Sequence, residues 1–198
     1  MEMDCSRVEM KKALATAAAC VLFLAGCSKT EGENPAAVSG APGRTEKSEE
    51  VQAPYYYGLI EEYRMTLAQD PHNLAAVIAL GNAYYDSGQW KEAITIYDRA
   101  LRIDPRNADV RTDMGTSYRN IGMPDRALAE YRKALEYEPG HLNARYNIGV
   151  VYAYDKKDYA AAVHVWEDLL QLSPHHPQSE HMRSCIVTFK KVLKKDRP

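Results

Sequence analysis

The chain is poor in what catalysis or a disulfide framework would need. It has four cysteines in 198 residues, two tryptophans, two phenylalanines and a net charge of −2. That balance provides no basic field for nucleic acid. The longest uncharged apolar run is Ala13 to Leu24, short of the roughly 20 residues that span a bilayer. Phosphate-loop, nucleophile-elbow and zinc-protease signatures are all missing from the sequence. His175, His176 and His181 lie close in sequence but lack a fourth ligand, so they read as a surface cluster. A Cys185–His181 nucleophile pair would need an orienting group and an oxyanion site, and the sequence offers neither.

What is present is a period. Gly81, Gly115 and Gly149 stand 34 residues apart, as do Tyr84, Tyr118 and Tyr152, and Pro71, Pro105 and Pro139. Ala93, Tyr97, Ala100 and Leu101 return as Ala127, Tyr131, Ala134 and Leu135. Apolar residues from 90 to 103 fall at spacings of three and four, which makes one helical face. Glycine and alanine at the packing points let helices approach closely, and the aromatic fills the space beyond. Gly88 and Gly122 fit the left-handed residue that ends a first helix, and Pro124 fits a first helical turn. In the third copy everything after Tyr152 shifts by one residue, to Ala162, Trp166, Leu169 and Pro174. The extra residue lies within 154–159, where the glycine is missing, and a longer inter-helix turn is expected there.

The pattern resembles the tetratricopeptide repeat: its L-G-x-x-Y reads Leu80-Gly81-Asn82-Ala83-Tyr84, Met114-Gly115-Thr116-Ser117-Tyr118 and Ile148-Gly149-Val150-Val151-Tyr152. The resemblance implies an all-α solenoid of three helix-turn-helix repeats at 74–107, 108–141 and 142–175. An N-terminal half-repeat helix within 54–73 and a C-terminal capping helix at 176–198 cover its ends. The capping helix carries Met182, Cys185, Ile186, Phe189 and Leu193 on one side and Lys190, Lys191, Lys194 and Lys195 on the other. Cys185 reads as a small buried hydrophobe.

In such arrays the first helix of each pair lines a concave groove. Carried onto this sequence, that face comprises Ile78, Asn82, Tyr85 and Asp86 from the first copy. The second gives Asp109, Thr112, Asp113, Thr116, Arg119 and Asn120, and the third Asn143, Tyr146, Asn147, Val150 and Tyr154. The resemblance implies a protein partner held there as an extended peptide or helix. It implies no catalysis, no cofactor, no small-molecule substrate and no nucleic acid. The carboxylate clamp of chaperone-docking members is absent, because its places hold Ile78, Asn143 and Asn147. Asp86, Asp109 and Asp113 favour a neutral or basic ligand segment.

The N-terminus resembles a bacterial lipoprotein signal. Met10-Lys11-Lys12 starts it, the apolar run comes next, and Leu24-Ala25-Gly26 precedes Cys27. The expectation is a signal peptide over 1–26, with Met10 a better start than Met1, and lipidation of Cys27. Several acyl chains give durable anchoring, and Ser28 points to the outer membrane with the domain in the periplasm. Residues 27–53 are rich in Gly, Pro, Ser, Thr, Glu and Lys and read as a disordered tether. The functional expectation is a non-catalytic adaptor for an envelope complex. Alternatives are a self-associating structural envelope protein and a pilotin-like assembly factor for a secretin.

Overall fold

Each copy begins with a side chain that caps a helix. Asn73 and Asn107, two residues after Pro71 and Pro105, accept the N–H groups of Ala76 and Val110. At the same offset from Pro139, His141 replaces asparagine, and its Nδ1 accepts from the Ala144 N–H at 3.1 Å. Such a cap stabilises a helix by about 1 kcal/mol.

The structure, a computed structural model, describes residues 46–195, with side chains from residue 55. The expected signal peptide, Cys27 and the tether as far as residue 45 lie outside the described residues, as do 196–198. The helices are α1 (Glu46–Gln69), α2 (Leu74–Asp86), α3 (Trp90–Ile103), α4 (Ala108–Asn120), α5 (Pro124–Tyr137), α6 (Leu142–Val150), α7 (Tyr159–Leu172) and α8 (Ser179–Lys195). No strand occurs among the described residues. Successive helices pack as pairs: α2 with α3, α4 with α5, α6 with α7, each pair on the next. The all-α solenoid expected from the period is the observed fold. No helix among the described residues is long and apolar enough to cross a membrane.

The glycines are close-approach points. A Cβ on Gly81 would lie 2.6 Å from the Tyr97 ring, and one on Gly115 2.6 Å from Tyr131. On Gly149 it would lie 2.1 Å from Trp166 Nε1. Tyr97, Tyr131 and Trp166 are fully buried, and they centre three successive core clusters.

Three boundaries differ from the sequence reading. Helix α1 starts at Glu46, so the last eight tether residues are helical. Most of them are good helix formers, and the helix continues through Pro54, which forfeits one ladder bond. The capping helix expected over 176–198 begins only at Ser179 as α8, two residues after Pro177.

The third difference concerns the extra residue of copy three, which does not lengthen the turn. It is absorbed into a π-helical stretch, Val151–Lys156, that continues α6. In copies one and two the N–H groups of Gln89 and Met123 reach back to the carbonyls of Tyr84 and Tyr118. In copy three Asp158 reaches back to Tyr152, one residue further. Lys157 then occupies the left-handed position (φ 57°) that Gly88 and Gly122 hold at 77° and 78°. An L side chain there costs about 1 kcal/mol relative to glycine. Lys157 is exposed, so Lys157→Gly should raise the melting temperature by roughly 2–4 °C. Calorimetry of the two proteins checks this, and a lower value would show that the lysine side chain itself stabilises the turn.

Candidate functional site

The first helices of the three copies, α2, α4 and α6, bring their polar faces around one cavity of about 250 Å³. Eight residues named from the sequence line it: Tyr85, Asp109, Thr112, Asp113, Thr116, Asn143, Tyr146 and Asn147. His141 is the ninth lining residue, and the sequence reading missed it. Its signal was the shared offset from proline that also places Asn73 and Asn107.

His141 joins helix capping to the cavity. Because Nδ1 accepts a backbone N–H, the proton of the neutral ring sits on Nε2. Nε2 lies 2.9 Å from Asp109 Oδ1, so the ring donates to that carboxylate. One turn along α4, Asp113 is half-buried, and burial together with the Asp109 charge pushes its pKa up to about 6. Burial also raises Asp86, and it raises the phenols of Tyr85 and Tyr146. The rim is therefore acidic, with Asp113 partly withdrawn from water and Asp109 exposed.

Polar side chains of the groove brace one another. Asn82 accepts the Tyr97 hydroxyl at 2.8 Å, and the Thr116 and Tyr131 hydroxyls lie 3.1 Å apart. Asn147 donates to Thr116 at 3.4 Å. Tyr146 stacks 6.1 Å from Trp166 and 5.6 Å from His176, which fixes the wall on the α7 side. Asn143 and Asn120 are exposed, and Ile78 is partly buried against the first core cluster.

Three expected groove residues are committed elsewhere. Arg119, the one cation among the expected groove residues, donates to Asp155 at 2.5 Å through Nε and 3.3 Å through a terminal nitrogen. The π-helical stretch carries Asp155 to that position and also pairs Lys156 with Asp125. Val150 is buried in the last core cluster. Thr112 lines the cavity although it is buried, and its hydroxyl donates to the Ala108 carbonyl at 2.8 Å. The Tyr154 hydroxyl lies 3.3 Å from His181 and 3.5 Å from the buried Cys185, turned toward α8. With Arg119 neutralised, the charge presented to a ligand comes from Asp86, Asp109 and Asp113.

Among the described residues no group of three or more His, Cys, Asp or Glu is placed to hold a metal ion. The arrangement offers carboxylates, amides and phenols for binding. Outside the groove, Cys185 Sγ lies 3.6 Å from His181 Nε2, with the thiol buried at the α8 end.

The pH dependence comes from Asp113. Its folded-state pKa lies above the usual carboxylate range, so the folded protein binds the extra proton and stability falls as pH rises toward about 6. Asp113→Asn should therefore raise the melting temperature at pH 7.5 by about 2–5 °C and leave it unchanged near pH 3.5. Melting curves across that range test it, and an equal shift at both ends would exclude the charge as the cause.

Comparison with known proteins places these features. Residues 112–177 match a family model described as tetratricopeptide repeat, and residues 81–122 match one described as TPR repeat. No curated protein matches the chain. A crystal structure of MamA superimposes with a TM-score of 0.59 at 22% identity, covering 76% of this chain and 94% of that one. A second crystal structure of MamA protein gives 0.58 at 20% identity, with 74% and 85% coverage. The chain thus carries tetratricopeptide repeats stacked as an α-solenoid, a fold that typically serves as a non-catalytic protein-interaction module.

Proposed function

We propose that the protein is an adaptor lipoprotein, anchored in the outer membrane through Cys27 and holding a protein partner in the periplasm. A neutral or basic segment of that partner lies in the groove, extended or helical. The carboxylates Asp109 and Asp113 lining the 250 Å³ cavity, with the Asp86 charge acting on Asp113, are the observation that carries this reading. The groove's one central arginine is already paired with Asp155. Asn143 is exposed and able to bond a peptide backbone, and Tyr146 supplies a fixed aromatic wall. A lysine or arginine of the partner would meet Asp109 and Asp113 together and keep Asp113 ionised.

In-cell photocrosslinking separates this from other readings. A crosslinking residue at Asn143 or Tyr146 should capture one dominant protein, and capture should weaken several-fold in Asp109→Asn/Asp113→Asn. Capture only from exposed Thr95 on α3 would place the partner outside the groove. The anchor has its own test: Cys27→Ala should release the protein from the membrane fraction. Retention there would remove the lipid reading.

A further inference from the structure

The cavity between α2, α4 and α6 presents a ligand with acceptors, because its own donors are already engaged. His141 donates Nε2–H to Asp109 Oδ1, and the Thr112 and Thr116 hydroxyls donate to the carbonyls of Ala108 and Thr112. Asn147 donates to Thr116, which leaves its side-chain carbonyl for a ligand. Asp109 keeps its second carboxylate oxygen at the exposed mouth. Deeper in, the Asp113 carboxylate accepts no hydrogen bond from another group among the described residues. No lysine or arginine is among the lining residues, and Arg119 is bound to Asp155.

Size narrows the occupant. About 250 Å³ falls below the roughly 300–1,000 Å³ of pockets that enclose a whole small ligand, and it suits one long side chain. An apolar side chain would leave Asp113 buried beside a like charge, the two causes that already raise its pKa. A metal ion is disfavoured, since among the described residues no three His, Cys, Asp or Glu are placed to hold one.

We infer that the cavity is a socket for one arginine side chain of the partner, its guanidinium bridging Asp109 at the mouth and Asp113 within. This deepens the groove reading and rests on it. Side chains four apart on a helix stand about 5–6 Å apart at Cβ, and the planar fork of five N–H donors reaches both carboxylates at once. An ammonium donates from a single atom and holds its water more tightly. The Tyr85 and Tyr146 side chains in the wall give a guanidinium aromatic surface, and Tyr146 is fixed by its stacking near Trp166 and His176.

Short blocked peptides test this, with two glycines on either side of arginine, lysine or citrulline, the last having nearly the arginine shape without its charge. Amide chemical-shift titration of the full chain in mild detergent at neutral pH reads binding. The arginine peptide should bind about fivefold more tightly than the lysine peptide and at least roughly tenfold more tightly than the citrulline peptide. Asp113→Asn should weaken the arginine peptide roughly tenfold. Asp98→Asn, which removes the same charge from the exposed side of α3, should leave it unchanged. Saturating arginine peptide should also suppress photocrosslinked capture from Asn143. Equal affinity for arginine and lysine or for arginine and citrulline, equal losses in the two aspartate variants, or capture that persists at saturation would overturn the socket. No peptide binding with capture from Asn143 intact also overturns it and leaves the groove reading standing. Capture only from Thr95 removes both.

Discussion

Gly149→Ala should lower the melting temperature by roughly 5–15 °C, the outcome of a loss of about 2–4 kcal/mol. In an exposed helix the same change would stabilise by up to about 1 kcal/mol. Here the new methyl would lie 2.1 Å from Trp166 Nε1, 2.5 Å from Cδ1 and 2.7 Å from Cε2. The indole has nowhere to retreat: it is fully buried, stacked near Tyr146 and Phe189, and its N–H donates to the Tyr146 carbonyl at 3.1 Å. Moving the ring sacrifices that bond and disturbs the cavity wall formed by Tyr146. Gly58→Ala is the control, because nothing lies within 4 Å of its Cβ position, and it should be neutral or stabilising. Thermal melts of both variants check the pair, and equal effects would refute close approach as the reason for the glycine.

Glu130→Ala should cost about 2–4 kcal/mol, because it strands a buried charge. The Arg111 side chain is 7% exposed and pairs with Glu130 at 3.0 Å. Its guanidinium also donates to the Pro105 carbonyl at 2.9 Å and lies 5.3 Å over the Tyr137 ring, while Nε is buried without a hydrogen-bond partner. Neither remaining contact compensates a full charge. The double change Arg111→Met/Glu130→Leu should recover most of the loss, since apolar replacement of a buried pair is often neutral. Urea titration reads both variants: the midpoint should fall for the single change with the slope unaltered. A single variant as stable as the parent would mean that water reaches Arg111.

Much of the fold was legible because packing constraints recur at a fixed interval. Gly81 needs Tyr97 and Gly115 needs Tyr131, so the period itself reports pairs of helices. The groove face was legible to the extent that helix register alone decides which way a side chain points, as for Asp113 and Tyr146. Register cannot say what a side chain is bonded to once it points there. Arg119 was read as available because its partner Asp155 lies in the stretch where the period breaks. Val150 and Tyr154 were placed on the groove by register alone, although the last core cluster and α8 take them up. The start of α1 was obscured by residues that suit a helix and a solvated linker equally well. Asn73 and Asn107 were visible as capping types, but histidine seldom serves as a cap, and His141 went unnoticed.

The π-helical stretch also bears on how such an array tolerates genetic change. Adding one codon inside an α-helix rotates every later side chain by about 100°, which would turn a core face into solvent. Here the inserted residue is taken up between Tyr152 and Lys157, and Ala162, Trp166 and Leu169 return buried to the packing positions of the earlier copies. The end of α6 is therefore a place where the repeat can slip by one residue without unseating the helices beyond it. A family of such chains would be expected to vary in length at that point before it varied inside any second helix.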